Sequence, residues 1–227
     1  MAEDDFVLSR RTLLVSVWAW AFLHIASKAQ SQDSESVDTV SRRLLASAPR
    51  IGERSLGSPT APVVVVEYAS ATCPHCAQFH IRSWPHIRDE YVDTGKVRWI
   101  FREFPLDDLA LAAFMLTRCI PEHQYFEAID ALFRTQKRWT ESATREELAR
   151  TMRMAGMDGD AFATCMTRQD LAEAIVDIAK TAQHEFAVQS TPTFFVNGQR
   201  VRGAQEFTFF KALLDAELAK EFRQKGR

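Results

Sequence analysis

A run of four valines, Val63–Val66, constrains the fold more than any other stretch of this sequence. A β-branched run without polar alternation is typical of a strand buried on both faces, which requires a sheet covered on each side. Apolar residues at helical spacing follow this strand, with a kink expected at Pro85 and an end at Gly95. A second strand pattern occupies Val97–Phe104. The order strand, helix, strand at this length predicts a right-handed parallel crossover.

The segment from Leu106 to Phe186 shows helical patterns almost throughout and no β-branched strand pattern. We predict five helices in it, at Leu109–Ile120, Glu122–Arg134, Arg145–Ala155, Asp160–Met166 and Leu171–Phe186. A hairpin follows, in which Asn197-Gly198 joins strands at 193–196 and 199–202, and an amphipathic helix at Phe207–Phe222 closes the chain. The sequence therefore predicts an α/β fold in the order β-α-β, all-helical insertion, β-β-α.

The first 29 residues have the pattern of a cleaved export signal. Arg10 and Arg11 precede a mostly apolar run, Thr12–Ala26, and small residues flank Lys28 where a signal peptidase would cleave. The apolar run is shorter than the roughly 20 residues that cross a bilayer. The order Ser-Arg-Arg-Thr-Leu-Leu is similar to a twin-arginine signal, and an ordinary secretory signal fits equally well. We expect export by one of these two routes.

Composition places the rest of the chain among ordinary globular proteins. Of the 227 residues, 46% are hydrophobic and 26% are charged. The formal net charge of −2 does not indicate the excess of basic residues that is typical of nucleic-acid-binding proteins. After the signal at 1–29 we expect a leader over residues 30–57 and the first half of an α/β domain over 58–105. The helical insertion is expected over 106–186 and the second half over 187–227. One interrupted domain is thus predicted, not two in series.

The candidate reactive side chains lie in the segment Cys73-Pro74-His75-Cys76, between the first predicted strand and the helix that follows it. Two thiols one helical turn apart can close a disulfide, and the first lies where unpaired backbone N–H groups and the helix dipole stabilise a thiolate. A protonated His75 would add positive charge, and Pro74 suits the first helical turn because it has no N–H to leave unpaired. A stabilised thiolate favours the dithiol and makes the disulfide a stronger oxidant.

The same Cys-x-x-Cys spacing supplies half of a zinc site or a short structural disulfide. The second half of a zinc site needs another ligand pair, and His75, His80 and His86 give none at the spacing of a known finger. A disulfide between these two cysteines closes a very short loop, so it removes little entropy from the unfolded chain and adds little stability. A redox role for the two thiols, without metal or cofactor, is therefore the preferred interpretation.

Thr191-Pro192-Thr193 stands directly before the first hairpin strand, where a proline by itself indicates only the start of a strand. The buried strand, the Cys-Pro-His-Cys helix start and the segment Thr-Pro-Thr-Phe-Phe-Val-Asn-Gly together resemble the DsbA family of bacterial thiol-disulfide oxidoreductases. The resemblance runs from about Leu56 to Leu218. It implies a thioredoxin fold with an inserted helical domain and a strongly oxidising cysteine.

The resemblance assigns roles at the Cys-x-x-Cys motif. Cys73 matches the family's exposed nucleophile and Cys76 its buried partner. Pro74 and His75 match the dipeptide that tunes the two thiols. The resemblance therefore implies that these four residues form the reactive part of the site.

Three residues elsewhere match the family's supporting positions. Pro192 matches the cis-proline whose loop faces the disulfide and helps to bind the substrate backbone, and Thr191 precedes it. The best-known oxidant of the family has valine before this proline, whereas threonine occurs in the broader family and in disulfide isomerases. Glu67, six residues before Cys73, matches a buried acid that handles the proton of the second cysteine. The alternative is a glutamate turned to solvent, and we favour the buried role because Glu67 ends an otherwise apolar strand beside the site.

Cys119 and Cys165 fall on two different predicted insertion helices. Either they form a second disulfide, worth about 2–4 kcal/mol, or they are two buried apolar thiols. Export favours the disulfide, and some relatives resemble this pattern. Four other side chains are candidates for a substrate surface, although their helical spacing favours core packing: His80, Trp84, His86 and Phe126.

The resemblance implies thiol-disulfide exchange in the periplasm, with reduced exported proteins as clients and a quinone-linked, DsbB-like membrane oxidase as the partner that reoxidises the site. Two alternatives stay open. An isomerase or reductase would use the same residues but normally oligomerises, and residues 30–57 are too short for a separate dimerisation domain. A non-catalytic thioredoxin-like binding module would be expected to lose a cysteine or the cis-proline, and both are present.

Overall fold

The computed structural model describes residues 40, 43–45, 47–142 and 144–225, so the predicted export signal at 1–29 lies outside the described residues. The strands are β1 (Arg54–Leu56), β2 (Val63–Ala69), β3 (Val97–Glu103), β4 (Thr193–Val196) and β5 (Gln199–Arg202). The α-helices are α1 (Pro74–Arg82), α2 (Trp84–Ile87), α3 (Asp108–Cys119), α4 (Tyr125–Arg134), α5 (Gln136–Ser142), α6 (Arg145–Met154), α7 (Gly159–Cys165), α8 (Gln169–Phe186) and α9 (Phe207–Lys225). A π-helical turn occupies Arg88–Val92, and a 3-10 turn occupies Glu122–Gln124.

The strands form one mixed sheet in the order β1-β3-β2-β4-β5. β2 and β3 run parallel, with Val63 opposite Val97 and Ala69 opposite Glu103, and the other neighbouring strands pair antiparallel. Every residue of the central strand β2 except Val64 is buried, as the valine run predicts for a strand covered on both faces. The structure confirms the predicted thioredoxin-type order with a helical insertion.

Aromatic side chains hold α1 and α9 against one face of the sheet. Phe79, Trp99, Phe194 and Phe210 are fully buried there, with ring centroids 4.7 to 6.1 Å apart. Each such side chain stabilises the fold by about 1.5–3 kcal/mol through removal of its surface from water. The opposite face of the sheet is covered by α8, whose Phe186 meets a strand aromatic edge to face. This packing fixes the sheet from which the site is built.

The insertion between β3 and β4 consists of α3 to α8. Three of its helices begin after residues whose side-chain oxygens accept a hydrogen bond from a backbone N–H three positions on: Asp107, Thr144 and Asp158. These caps place the starts of α3, α6 and α7 within a residue of the predicted ones. α5 is an additional short helix that the sequence pattern did not separate from its neighbours.

The structure differs from the predicted elements at two places. Residues 54–56, expected within a leader, form edge strand β1 with Leu56 opposite Trp99. The helix that follows the first strand breaks after Arg82 and resumes as α2, with Pro85 in its first turn, close to the predicted kink. Gly57 makes the turn after β1 possible, because its φ is +86° and a Cβ atom there would lie 2.3 Å from the Val97 carbonyl oxygen. Among the described residues, no helix is long and apolar enough to cross a membrane.

Candidate active site

Cys73 lies at the N-terminal end of α1, directly after the loop that follows β2. It is the N-cap residue, with φ −74° and ψ 118°, and Pro74 opens the helix after it. Cys76 lies one turn further along, and both thiols are free. Cys73 keeps 6% of its surface exposed, whereas Cys76 is fully buried. The order strand, loop and proline-started helix therefore leaves the first thiol partly accessible and hides the second.

The Cys73 thiol is strongly acidic. Its pKa is lowered from 9.0 to about 5, chiefly by a hydrogen bond from the Cys76 thiol, against the opposing effect of burial. The Thr191 side chain and the backbone N–H groups of Cys76 and His75 lower it further. The structure thus shows His75 acting on Cys73 through its backbone, while its imidazole is exposed. At neutral pH the Cys73 side chain is a thiolate.

Cys76 has the opposite character. Its pKa is raised well above 9.0, first by burial and then by the hydrogen bond and the negative charge of Cys73 and by the charge of Glu67. A buried thiolate beside two other negative charges is unfavourable, so Cys76 holds its proton. The reduced pair is therefore one thiolate and one thiol, which share a hydrogen bond.

The loop before β4 completes the surroundings of Cys73. The Thr191–Pro192 peptide bond is cis, and the carbonyl oxygen of Thr191 lies 3.3 Å from Cys73 Sγ. This carbonyl accepts a hydrogen bond from the thiol and so favours the neutral form. The buried Thr191 hydroxyl has no other hydrogen-bond partner among the described residues, which leaves it free to donate to the thiolate. The low pKa of Cys73 shows that the donors outweigh the carbonyl.

Gln136 of α5 holds the active-site loop in place. Its Nε2 donates to the carbonyl oxygens of Ala71 and Cys73, at 2.8 and 2.9 Å. Sequence reasoning missed this residue, because a glutamine inside a helical pattern carries no signal that it reaches a loop 63 residues away. The helical insertion is thereby tied directly to the nucleophile's backbone.

Glu67 is fully buried on β2, in the position that the sequence favoured over a solvent-facing one. Trp99 Nε1 donates to its Oε2 at 3.0 Å, and His80 Nε2 lies 3.0 Å from its Oε1. Its negative charge acts on Cys76, since it raises the pKa of that thiol. Whether it handles the proton of the second cysteine stays a prediction.

The four candidates for a substrate surface separate into two groups. His80, Trp84 and Phe126 are buried, in agreement with core packing. His86 is exposed, with its ring 5.2 Å from that of Phe207, so core packing was the wrong expectation for this residue. It follows Pro85 in the short helix α2, where the helical period gives little information about burial.

Cys119 and Cys165 form a disulfide that joins α3 to α7, with their Cα atoms 6.1 Å apart. The buried side chain of Arg118, the residue before Cys119, pairs with Glu103 at the end of β3. Tyr125 donates a further hydrogen bond to Glu103 at 2.8 Å. The second cysteine pair is therefore part of the structural framework of the insertion. In the described part of the chain, no group of three or more His, Cys, Asp or Glu side chains is arranged to hold a metal ion.

Comparison with known proteins agrees with this geometry. The sequence matches the family model described as Thioredoxin over residues 50–216. It is 31% identical over 145 residues to a Rickettsia bellii protein named "Putative protein-disulfide oxidoreductase", a match that covers 63% of this chain and 56% of that protein. The chain spans only 52 to 56% of the length of such rickettsial relatives.

Two solved structures extend the comparison. The crystal structure of Wolbachia pipientis alpha-DsbA1 has a TM-score of 0.73 and 30% identity, and the match covers 79% of this chain and 97% of that one. A protein-disulfide isomerase from Novosphingobium aromaticivorans has a TM-score of 0.66 and 25% identity, with 75% and 98% covered. The similarity therefore extends over about three quarters of this chain.

Proposed function

The chain belongs to the thioredoxin family, in its DsbA-like branch of thiol-disulfide oxidoreductases, and we propose that it introduces disulfides into exported proteins by exchange at Cys73 and Cys76. The observation that carries this proposal is the asymmetry of the pair: the pKa is about 5 for Cys73 and well above 9.0 for Cys76. A thiol with a low pKa is a good leaving group, so a disulfide that ends on Cys73 passes readily to a client.

The proposed reaction starts from a Cys73–Cys76 disulfide. A client thiolate attacks Cys73 Sγ, the bond to Cys76 breaks, and Cys76 leaves as a thiolate that takes up one proton. A second client thiolate attacks the client sulfur of the mixed disulfide, and Cys73 leaves as the stable thiolate. Two electrons pass from the client dithiol to the pair, and the client's two protons go to Cys76 and to solvent.

We also propose where the protein acts and which class of protein reoxidises it. The arginine pair and apolar run within residues 1–29 support export to the periplasm, where reduced exported proteins are the clients. The resemblance to DsbA proteins supports reoxidation by a quinone-linked membrane oxidase. Replacement of Arg10 and Arg11 by lysine would block export through a twin-arginine route and leave a general secretory route working. Cell fractionation of a full-length, tagged chain distinguishes the two, and retention of the unaltered chain in the cytoplasm would contradict periplasmic location.

Oxidase activity is tested by three measurements on the same preparation: the redox potential of Cys73–Cys76, oxidation of reduced RNase and isomerisation of scrambled RNase. We expect an oxidising potential and rapid RNase oxidation, both lost in Cys73→Ser. Isomerisation that exceeds oxidation would favour an isomerase instead, and a strongly reducing potential without oxidation would refute the proposal. Recovery of the disulfide on addition of quinone-containing membranes tests the reoxidation partner.

A further inference from the structure

The loop that joins β2 to α1 consists of residues 70–73, and the insertion makes a hydrogen bond to every one of them. Gln136 of α5 donates to the carbonyl oxygens of Ala71 and Cys73. Ser70 and Thr72 bind instead through their hydroxyl groups, to residues at the start of α3. The position of the nucleophile therefore depends on two separate parts of the insertion, which the exchange reaction as written above does not use.

The contacts of Ser70 and Thr72 have a fixed direction. The Thr72 hydroxyl donates to Asp107 Oδ2 at 2.7 Å, because a carboxylate only accepts. A hydroxyl has one proton, so the Thr72 oxygen accepts from the Ser70 hydroxyl, 3.3 Å away. The Ser70 oxygen in turn accepts from the Leu106 N–H at 3.3 Å. Since Leu106 and Asp107 are neighbours in the chain, these hydrogen bonds close a ring between the loop and the start of α3.

Asp107 joins this ring to the framework of the insertion. Its other oxygen, Oδ1, accepts from the Ala110 N–H at 2.7 Å and caps α3. One carboxylate thus holds both the first turn of α3 and Thr72, the residue directly before the nucleophile. Asp107 is exposed and Thr72 is partly exposed. Water replaces either partner when the other is lost, so this bond contributes less to stability than a buried one.

The position of Cys73 matters because exchange requires three sulfur atoms in line. The attacking sulfur approaches along the axis of the bond that breaks, and Cys73 Sγ takes part in both steps of the reaction. It is the atom under attack in the first step and the leaving atom in the second. A displacement of reacting atoms by about 1 Å can lower a rate by about a hundredfold. A loop that is fixed along its whole length therefore favours both steps.

We propose that the insertion positions Cys73 for exchange by holding residues 70–73 on two sides, with Asp107 and Gln136 as the positioning residues. This inference rests on the exchange proposed at Cys73 and Cys76. Asp107 acts through Thr72, and Gln136 acts through the carbonyl oxygens of the loop. Both act through other residues and not on the reacting sulfurs, so neither is a catalytic residue.

The contact between Thr72 and Asp107 speeds exchange in both directions, because the forward and the reverse reaction pass through the same aligned transition state. Equal effects on the two rates leave the equilibrium constant, and hence the redox potential, unchanged. Gln136 also orients carbonyl oxygens beside Cys73 and affects the acidity of its thiol. Thr72 and Asp107 therefore give the cleaner test of position alone.

The test measures reduction of the oxidised protein by reduced glutathione and oxidation of the reduced protein by oxidised glutathione, each quenched with a thiol-alkylating reagent. Thr72→Val has nearly the same shape as the wild type but lacks the hydroxyl, whereas Thr72→Ser keeps it. We expect Thr72→Val to slow both reactions by about tenfold, within the range that misalignment produces, with an unchanged redox potential. Thr72→Ser should keep the wild-type rates.

A second pair of variants separates the contact with Thr72 from the helix cap. Asp107→Ser keeps a cap for α3 but lacks the second oxygen that accepts from Thr72, so it should slow both reactions as Thr72→Val does. Asp158→Ala is the matched control. Asp158 caps α7 with a bond of the same length, 2.7 Å from the Ala161 N–H, and in the described part of the chain it has no hydrogen bond to residues 70–73. Its loss should leave both rates unchanged.

Wild-type rates in both Thr72→Val and Asp107→Ser would overturn the proposal. An equal slowing in Asp158→Ala would also overturn it, because that result indicates a general loosening of the insertion. A change in one direction only, with a shifted redox potential, would count against it as an effect on the disulfide itself. Since glutathione replaces both the client and the membrane oxidase, failure of RNase oxidation in a protein with normal glutathione exchange would contradict only the proposed function.

Discussion

The acidity of Cys73 gives the sharpest test of the site. With a pKa of about 5, roughly 99% of Cys73 is thiolate at pH 7. The first cause is the hydrogen bond from Cys76, and a hydrogen bond to a charged group is worth about 1.5–3 kcal/mol, or about one to two pKa units. Cys76→Ala removes this donor and should raise the pKa of Cys73 by that amount. Cys76→Ser keeps a donor and should leave the pKa near the wild-type value.

The pKa in each variant is measured from the ultraviolet absorbance of the thiolate during a pH titration and checked by the pH dependence of alkylation by iodoacetamide. Because both variants lose the second sulfur, they differ only in the donor and not in the capacity to form a disulfide. If Cys76→Ala titrates like the wild type, the thiolate is stabilised by the backbone and Thr191 instead, and our reasoning about the pair is wrong.

Four further predictions concern the potential, the pH dependence of stability, the second disulfide and Gln136. Above about pH 5, where Cys73 is a thiolate, reduction takes up one proton, so the potential should fall by about 30 mV per pH unit up to the higher pKa of Cys76 and by about 59 mV below pH 5. The same lowered pKa stabilises the reduced protein fully above about pH 9 and not below about pH 5, which pH-dependent urea unfolding measures against the oxidised form. Cys119→Ala/Cys165→Ala opens a loop of 46 residues and should lower the free energy of unfolding by about 2–4 kcal/mol, and an unchanged urea midpoint would contradict this. Gln136→Leu leaves two loop carbonyls without their donor and should cost about 1–3 kcal/mol and shift the pKa of Cys73, as thiolate absorbance would show.

The parts of the fold that sequence reasoning predicted are those with a local physical cause. Val63–Val66 indicates a doubly covered strand because such a run has no polar face, and Pro74 indicates the helix start because its missing N–H costs nothing there. Asn197-Gly198 predicts the hairpin because both residues have positive φ. These signals lie within a few residues of the structure that they produce.

The parts that sequence reasoning missed depend on contacts between distant segments. β1 is a strand because it pairs with β3, and its three residues carry no pattern of their own. His80 at helical spacing predicts a core residue, and only the fold shows that its core neighbour is Glu67. Asp107 looks like an ordinary helix cap and Gln136 like an ordinary helix residue until α3 and α5 are placed against the active-site loop. The sequence alone identifies the reactive residues Cys73 and Cys76, whereas the supporting residues can be identified only from the fold.

The Thr191 side chain, which lowers the pKa of Cys73, lies 118 positions further along the chain. Until the segment that contains Thr191 has been synthesised and docked, and until α1 places the Cys76 thiol, Cys73 has the acidity of an ordinary cysteine, which is largely protonated at neutral pH. An incomplete or unfolded copy is therefore a poor partner for disulfide exchange. The Cys73 thiolate therefore becomes reactive only when the chain folds, so a nascent chain is protected from forming premature mixed disulfides with other proteins.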